Sequence, residues 1–204
     1  MNLSILAQIF QKNDGKLYIG DVCTEFDMSE VKIKEEEVKI EILRPFHMPL
    51  LSTFCSYEQE LVDFLVEDAL ENQNQRLSLT FLWIYEGRVV SYITLLNDRI
   101  NLKAAFQRQG IFYRSLPALK IGRLCVDDRF LHRGLGTLMV DFSIEAANSI
   151  FENYSGCRFI VLDAKQGKES PVPFYEKQRF KVLNVRKGTT PMCLDLLDNI
   201  KLSV

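Results

Sequence analysis

Several common kinds of functional site are missing from this sequence. Histidine occurs only twice, as His47 and His132, and the two are too far apart in the chain to suggest a zinc site. There is no G-x-S-x-G turn and no cysteine–histidine signature of a nucleophilic enzyme. The five cysteines lie singly, without a C-x-x-C pair. An odd number of cysteines without a secretion signal favours a reducing compartment.

Signals for export and membrane insertion are also missing. The first residues carry no basic stretch and no small-residue cleavage site, and no apolar run approaches the roughly 20 residues that span a bilayer. The charge is nearly balanced, with 25 Lys and Arg against 27 Asp and Glu. No overall field therefore draws the protein to nucleic acid or anionic lipid. We expect a cytoplasmic protein without a metal site and without membrane contact.

The chain contains enough apolar residues for one sizeable core. It has 204 residues, of which 47% are hydrophobic, as in ordinary globular domains. Residues 1–37 differ from the rest, and their last part, 32–37, is mostly charged and typical of a solvated connector. We divide the chain into an N-terminal extension, 1–37, and a single domain, 38–204. The extension is a candidate oligomerisation element, and a homodimer is among the assemblies left open.

Hydrophobic periodicity divides the domain into alternating strands and helices. Apolar residues at helical spacing predict a helix over 57–72 with Ser56 as its N-cap, and Glu86-Gly87 predicts a hairpin turn. The order β-α-β-β-loop-β-α-β-α-β-β predicts an α/β (α+β) fold with a mixed sheet flanked by helices. The loop, 97–117, has no clear period, and such long connections are usually functional or mobile. The other predicted elements are strands over 38–44, 79–85, 88–96, 119–126, 157–162, 180–185 and 192–197, and helices from Gly134 and over 168–178.

A glycine-containing loop joins the strand 119–126 to the helix that begins at Gly134. A phosphate-binding P-loop would need Gly-Lys-Ser/Thr, which is absent. A dinucleotide fingerprint would need a third glycine where Met139 stands, and seven residues separate the strand from Gly134. These two mismatches outweigh Asp163, which stands where a ribose-binding acid would. A purely structural turn remains an alternative, since two glycines alone are a weak signal.

The residues around the glycines resemble a known family. The segment 126–139 looks like the acetyl-CoA pyrophosphate loop of the GNAT superfamily of N-acetyltransferases, and 174–180 resembles the second signature of that superfamily. The element order is also that of the GNAT fold, and the resemblance covers about 38–197. It implies acetyl-CoA as cofactor and a reaction in which a primary amine attacks the thioester directly. The cofactor-binding residues that it implies are Leu124, Cys125, Val126, His132, Arg133, Gly134, Leu135, Gly136 and Thr137.

The resemblance also suggests roles for parts of this set. Main-chain groups of Leu124 and Val126 would pair with the pantetheine, and amides over 132–137 would hold the pyrophosphate beside the helix dipole. Tyr175 would be the general acid near the sulfur. The alternative for Tyr175 is an aromatic ring that packs under the sheet beside Phe174.

The sequence departs from the family pattern at four positions. Leu131 stands where Gln or Arg is usual, which shifts the expected phosphate contact to main-chain amides and to Arg133. Lys168 and Pro171 replace the usual asparagine and small residue, and Arg179 replaces a glycine. These changes bear on how the cofactor's arm is seated.

Other parts of the function are left open by the sequence. The candidate general bases are Asp127, Asp128, Glu86 and Asp163, and none is singled out. A catalytically silent acyl-CoA-binding module is one alternative function. A finer resemblance, to the branch that contains toxin acetyltransferases that modify aminoacyl-tRNA, rests on 116–119, 122–124, the Phe174-Tyr175 pair and 191–196. Near-neutral charge argues against strong tRNA binding. We expect the acceptor, which the sequence does not name, to be shaped by 57–72, 97–117 and 186–191.

Overall fold

The computed structural model describes residues 12–13, 16–17, 32–101, 113–167, 170–183 and 186–197. Two short strands, β1 (Lys12–Asn13) and β2 (Lys16–Leu17), pair with each other in the extension. Lys168 and the middle of the predicted loop 97–117 lie outside the described residues. The domain strands are β3 (Lys39–Ile42), β4 (Leu79–Tyr85), β5 (Arg88–Asn101), β6 (Ser115–Val126), β7 (Phe159–Lys165), β8 (Lys181–Val182) and β9 (Thr189–Asp195).

The seven domain strands form one mixed sheet in the order β3-β4-β5-β6-β7-β9-β8. Only the central pair, β6 and β7, is parallel, and the other pairs are antiparallel. A parallel pair needs a long crossover connection, which the helix between β6 and β7 provides. The fold is therefore the mixed sheet flanked by helices that the sequence predicts.

The helices cover the two faces of this sheet. They are α1 (Met48–Leu51), α2 over 59–74, α3 (Leu135–Asn153) and α4 (Val172–Lys177), and α2 contains a π-helical turn at Phe64–Asp68. Ser56 is not the N-cap of α2, because that position is held by Glu58, whose N–H donates to the Ser56 hydroxyl at 3.2 Å. None of the helices in the described ranges combines the length and the hydropathy of a membrane span.

Neighbouring residues on the central strands point to opposite faces of the sheet and contribute to different core clusters. On one face, Trp83 is fully buried and packs edge-on against Phe142 of α3, with ring centroids 5.2 Å apart. On the other face, Tyr92 is fully buried, and its hydroxyl donates to the carbonyl of Leu61 in α2 at 2.7 Å. Burial of each such side chain contributes about 2 kcal/mol to the stability of the fold.

The predicted element order is confirmed, but several boundaries differ. β5 and β6 extend to Asn101 and back to Ser115, and they take residues from both ends of the predicted loop 97–117. β5 and β6 are longer than predicted because the two strands satisfy each other's main-chain hydrogen-bonding groups as far as Asn101↔Ser115, although most side chains there are exposed. Cys157 precedes β7 rather than lying in it, and the predicted strand 180–185 shortens to Lys181–Val182.

Candidate functional site

β6 and β7 separate halfway along their length. Their parallel pairing runs from Ala118↔Phe159 to Ile121↔Leu162. β6 continues to Val126 with β5 on its other side, as far as the pair Ser91↔Val126. Among the described strands, none pairs with β6 on the β7 side beyond Ile121, so this edge is open.

The main-chain groups of Leu124 and Val126 face the open edge. The N–H of Asp127, just after the strand, donates to the carbonyl of Val90 in β5 at 2.9 Å. Because main-chain groups alternate sides along an antiparallel strand, those of Cys125 also face β5, and those of Leu124 and Val126 face away from it. The edge therefore presents peptide groups that an extended ligand could pair with.

A carboxylate clamp fixes the start of the loop after β6. Asp127 has no exposed surface, and its carboxylate accepts hydrogen bonds from the main-chain N–H of Cys55 at 3.1 Å and from Nε of Arg129 at 2.8 Å. Burial acts to raise the pKa of Asp127, but the hydrogen bonds from Arg129 and Cys55 outweigh it, and the pKa is lowered. The clamp thus ties the loop to the segment before α2.

The loop then turns sharply into α3. A 3-10 turn, Asp128–Phe130, is followed by His132 at φ 62° and by Gly134 at φ 88°. Gly134 is the N-cap residue of α3 and supplies no side-chain cap, so the amides of Leu135 and Gly136 are left for another acceptor, whereas that of Thr137 donates to the carbonyl of Gly134 at 3.0 Å. Leu135 is buried in the core, whereas His132 and Thr137 are exposed. A phosphate fits this uncapped end of a 19-residue helix.

A cavity of about 870 Å³ lies beside the open edge. Its wall includes the β6 residues from Lys120 to Leu124, the end of β7 and the beginning of α2. Of the predicted site residues, Leu124 and Tyr175 line it, whereas the residues 132–137 do not. The volume is in the range of small-molecule and cofactor sites.

Tyr175 sits in the cavity wall and also packs in the core. It is 7% exposed, with ring centroids 5.0 Å from Phe174 and 5.6 Å from Phe180. Burial raises the pKa of the Tyr175 hydroxyl. The two sequence-based interpretations of this residue, a site residue and a packed aromatic, are therefore compatible with each other.

The short helix α4 connects the two motifs. The amide Nε2 of Gln178 donates to the hydroxyl of Thr137 at 3.0 Å, and the ring of Phe174 lies over Gly136. Contacts across these positions join the beginning of α3 to the helix that carries Tyr175. The glycine loop and the aromatic motif form one structural unit.

Three ion pairs cross the cavity wall, and the sequence analysis identified only one of their members, Asp163. Glu58 and Glu60 look like first-turn residues of a helix in the sequence, and only the tertiary fold shows that they meet basic residues of β6 and β7. The opposite charges balance, so the wall carries little net charge. The pairs are Lys120–Asp163 with 2.7 Å between Nζ and Oδ2, Arg123–Glu60 with 3.8 Å between Nη2 and Oε1, and Lys165–Glu58.

The four candidate bases are dispersed. The carboxylate of Asp127 already accepts hydrogen bonds from Cys55 and Arg129. Glu86 lies at φ 48° in the exposed β4–β5 turn. Asp128 lies in the 3-10 turn and does not line the cavity. Asp163 is the one of the four that lines the cavity.

Comparison with protein families identifies the same region. The model of the acetyltransferase (GNAT) family matches residues 42–180. This span begins at the end of β3 and ends just after α4, so it includes the open edge, the glycine loop and Tyr175. No curated protein matches the chain by sequence.

Solved structures share the fold at low sequence identity. A Tyr-to-Phe mutant of KacT superposes with a TM-score of 0.71 at 18% identity, over 81% of this chain and 99% of that one. AtaT complexed with acetyl-methionyl-tRNAfMet gives 0.71 at 20% identity, over 82% and 99%. AtaTR bound with AcCoA gives 0.67 at 20%, over 83% and 99%. At these identities the likeness is one of fold.

Proposed function

Because the chain belongs to the acetyltransferase (GNAT) family and is therefore an N-acetyltransferase with acetyl-CoA as donor, we propose that a primary amine attacks the thioester directly in the cavity beside β6. The open edge of β6, with Tyr175 in the adjoining wall, is the observation that carries this proposal. Acetyl-CoA supplies the activated acetyl group, and the products are an amide and the CoA thiol.

The donor would be held mainly by main-chain groups. The outward-facing peptide groups of Leu124 and Val126 would pair with the pantetheine. Cys125 lies between them, and its main-chain groups face β5, so it would only keep the strand extended at this point. The amides over 132–137, at the uncapped start of α3, would hold the pyrophosphate. Arg133 would add a charge-assisted contact in place of the Gln or Arg side chain that is usual where Leu131 stands.

Tyr175 would donate a hydrogen bond to the sulfur as negative charge develops on it. An ordinary tyrosine, with a pKa of ~10, gives its proton to a thiolate whose conjugate thiol has a pKa of ~8.5 only at a cost of about 2 kcal/mol. Burial raises the pKa of Tyr175 further, which favours hydrogen-bond donation over complete proton transfer. In a water-poor wall this donation is strengthened by the low dielectric.

An acceptor screen tests the proposal. Acetyl-CoA is incubated with small amines, peptides and aminoacyl-tRNA, and release of free CoA thiol is measured. Amine-dependent release that falls on Tyr175→Phe substitution supports the enzyme. Tight acetyl-CoA binding with no release for any acceptor would instead favour a catalytically silent acyl-CoA-binding module.

A second candidate function is acetylation of aminoacyl-tRNA by a toxin. The fold likeness to AtaT complexed with acetyl-methionyl-tRNAfMet, over 99% of that chain, favours it. Growth arrest on expression, together with labelled aminoacyl-tRNA from labelled acetyl-CoA, is the expected result. An α-amine with a pKa of ~8 is also largely deprotonated at a mildly alkaline pH, so it needs little help from a base.

We also propose that the protein works in a reducing compartment such as the cytoplasm. The four cysteines that the structure describes, Cys55, Cys125, Cys157 and Cys193, are all free thiols. Unpaired thiols, two of them buried in the sheet, suit such a compartment.

A further inference from the structure

A short stretch of the N-terminal extension packs against the glycine loop. We call this stretch, together with Val38 at the start of the domain, the strap; it spans residues 32–38 and leads into β3. Ile33 in the strap is only 6% exposed and belongs to the same core cluster as Leu135 and Met139 of α3. Its neighbours Lys32 and Lys34 are exposed, so Ile33 is the anchor of an otherwise solvated segment.

The strap is also hydrogen-bonded to the loop through the main chain. The N–H of Ile33 donates to the carbonyl oxygen of Arg133 at 3.0 Å. Arg133 stands between His132 at φ 62° and Gly134 at φ 88°. A left-handed conformation is uncommon for residues other than glycine, and the hydrogen bond from Ile33 is a contact from outside the loop that supports this shape.

The hydrogen bond from Ile33 to the Arg133 carbonyl also fixes the direction of the N–H group of Gly134. The described chain contains no cis peptide bonds, and a trans peptide places its carbonyl oxygen and its N–H on opposite sides. With the oxygen of Arg133 directed at the strap, the N–H of Gly134 is directed away from it. That N–H belongs to the set of amides over 132–137 to which we assign the pyrophosphate.

We propose that the main-chain N–H of Ile33 is a positioning group for acetyl-CoA. By holding the Arg133 carbonyl, it orients the Gly134 amide toward the pyrophosphate of the donor. The proposal rests on the proposed function and adds a residue of the extension, outside the matched span 42–180, to the support of the donor site. Ile33 itself need not touch the donor.

Replacing a single amide by an ester tests this in the full-length chain. Isoleucine 33 is exchanged for the corresponding α-hydroxy acid, which keeps the side chain and removes only the N–H. Binding of acetyl-CoA is compared with binding of S-acetylpantetheine, which has no pyrophosphate. A matched control places the same ester at Val38, whose N–H donates within the strap to the carbonyl of Glu35 at 3.2 Å.

We expect the Ile33 ester to weaken acetyl-CoA binding about fivefold, the effect of losing one main-chain hydrogen bond, and to leave S-acetylpantetheine binding unchanged. The Val38 ester should change neither. Ile33→Ala, which keeps the N–H, should lower the melting temperature but preserve the ratio of the two affinities.

Two outcomes would overturn the inference. Unchanged acetyl-CoA affinity in the Ile33 ester would show that the N–H positions nothing, and an equal loss for both ligands would show a merely structural role. If the unmodified protein binds no acetyl-CoA, the proposed function fails as well. The first two results leave the proposed function intact.

Discussion

Gly136 and Phe174 stand in direct contact at the junction of the two motifs. A Cβ built on Gly136 would lie 3.1 Å from Cζ of the Phe174 ring, which is closer than carbon atoms normally approach. The absence of a side chain at 136 thus allows α4 to close on the first turn of α3. Since Tyr175 follows Phe174, the same contact sets where its ring lies.

Gly136→Ala is expected to lower kcat/KM about tenfold, or ~1.4 kcal/mol, with little loss of stability. Alanine gains about 1 kcal/mol of helix propensity over glycine, which offsets part of the cost of displacing the Phe174 ring. The measurement is CoA release, with the melting temperature followed in parallel. The double variant with Phe174→Leu should recover most of the activity, because the smaller side chain can move away.

Gly156→Ala is the matched control for this change. Its Cβ would lie 3.5 Å from Cγ of Pro117, an ordinary van der Waals contact, and neither residue lines the cavity. Activity should stay at the unmodified level. An equal loss of activity in both variants would mean that the effect comes from glycine replacement in general and not from the Phe174 contact.

Tyr175→Phe is expected to reduce kcat by about 100-fold, the usual size of a lost acid or hydrogen-bond donor. The ring contacts with Phe174 and Phe180 are kept, so the melting temperature should change little. Because burial raises the pKa of Tyr175, the hydroxyl stays protonated and should cause no decline in kcat below pH ~10. Undiminished turnover in a folded variant would contradict the role.

Tyr154→Phe controls for the loss of a phenol hydroxyl elsewhere. Tyr154 is 84% exposed at the end of α3 and does not line the cavity. Its substitution should leave both kcat and the pH profile as they were.

The sequence predicted the element order because each element carries its own local period, as in the alternation over 38–44 and the helical spacing after Gly134. The glycine motif likewise placed the loop at the start of α3. The clamp on Asp127 was not predictable, because its partner Cys55 is brought close only by tertiary folding. The same holds for Ile33, whose contact with Arg133 joins a segment that looks like a solvated connector in the sequence to the loop.

Asp127→Asn is expected to destabilise the protein by about 2 kcal/mol at neutral pH, because hydrogen bonds to a charged carboxylate are lost. The pKa of Asp127 is lowered from its ordinary 3.8, so the carboxylate stabilises the fold above about pH 4, and this stabilisation is lost as the pH falls through the lower folded-state pKa. Urea unfolding from pH 7 to pH 2 measures it. The difference between the two proteins should shrink at the acid end.

A difference that stays constant over this pH range would show that the charge of Asp127 does not matter. Asp98→Asn is a suitable comparison, since Asp98 is on the exposed end of β5 and its carboxylate is 3.8 Å from Lys120. An exposed pair of this kind contributes at most about 1 kcal/mol. Its substitution should therefore leave the free energy of unfolding nearly unchanged.

Arg133→Met should weaken acetyl-CoA binding about tenfold at low salt, because the proposed phosphate contact loses its positive charge. The guanidinium lies over the Phe130 ring, 5.1 Å from its centroid, and methionine can keep part of that packing. The loss should become smaller as salt is raised, since salt screens charge pairs. Calorimetric titration at two salt concentrations measures both effects.

Leu131→Gln provides the opposite change at the same loop. It restores the residue type that is usual in the family at this position, and Leu131 is only half-buried, so the fold should tolerate it. If the amides over 132–137 and Arg133 carry the phosphate contact, a glutamine amide should add affinity for acetyl-CoA, and it should recover part of what Arg133→Met loses. Arg99→Met, which removes a charge from the exposed end of β5, should do neither. Loss of affinity in Leu131→Gln would instead indicate that the leucine packs where the donor passes, and the phosphate would then have to lie closer to the first turn of α3.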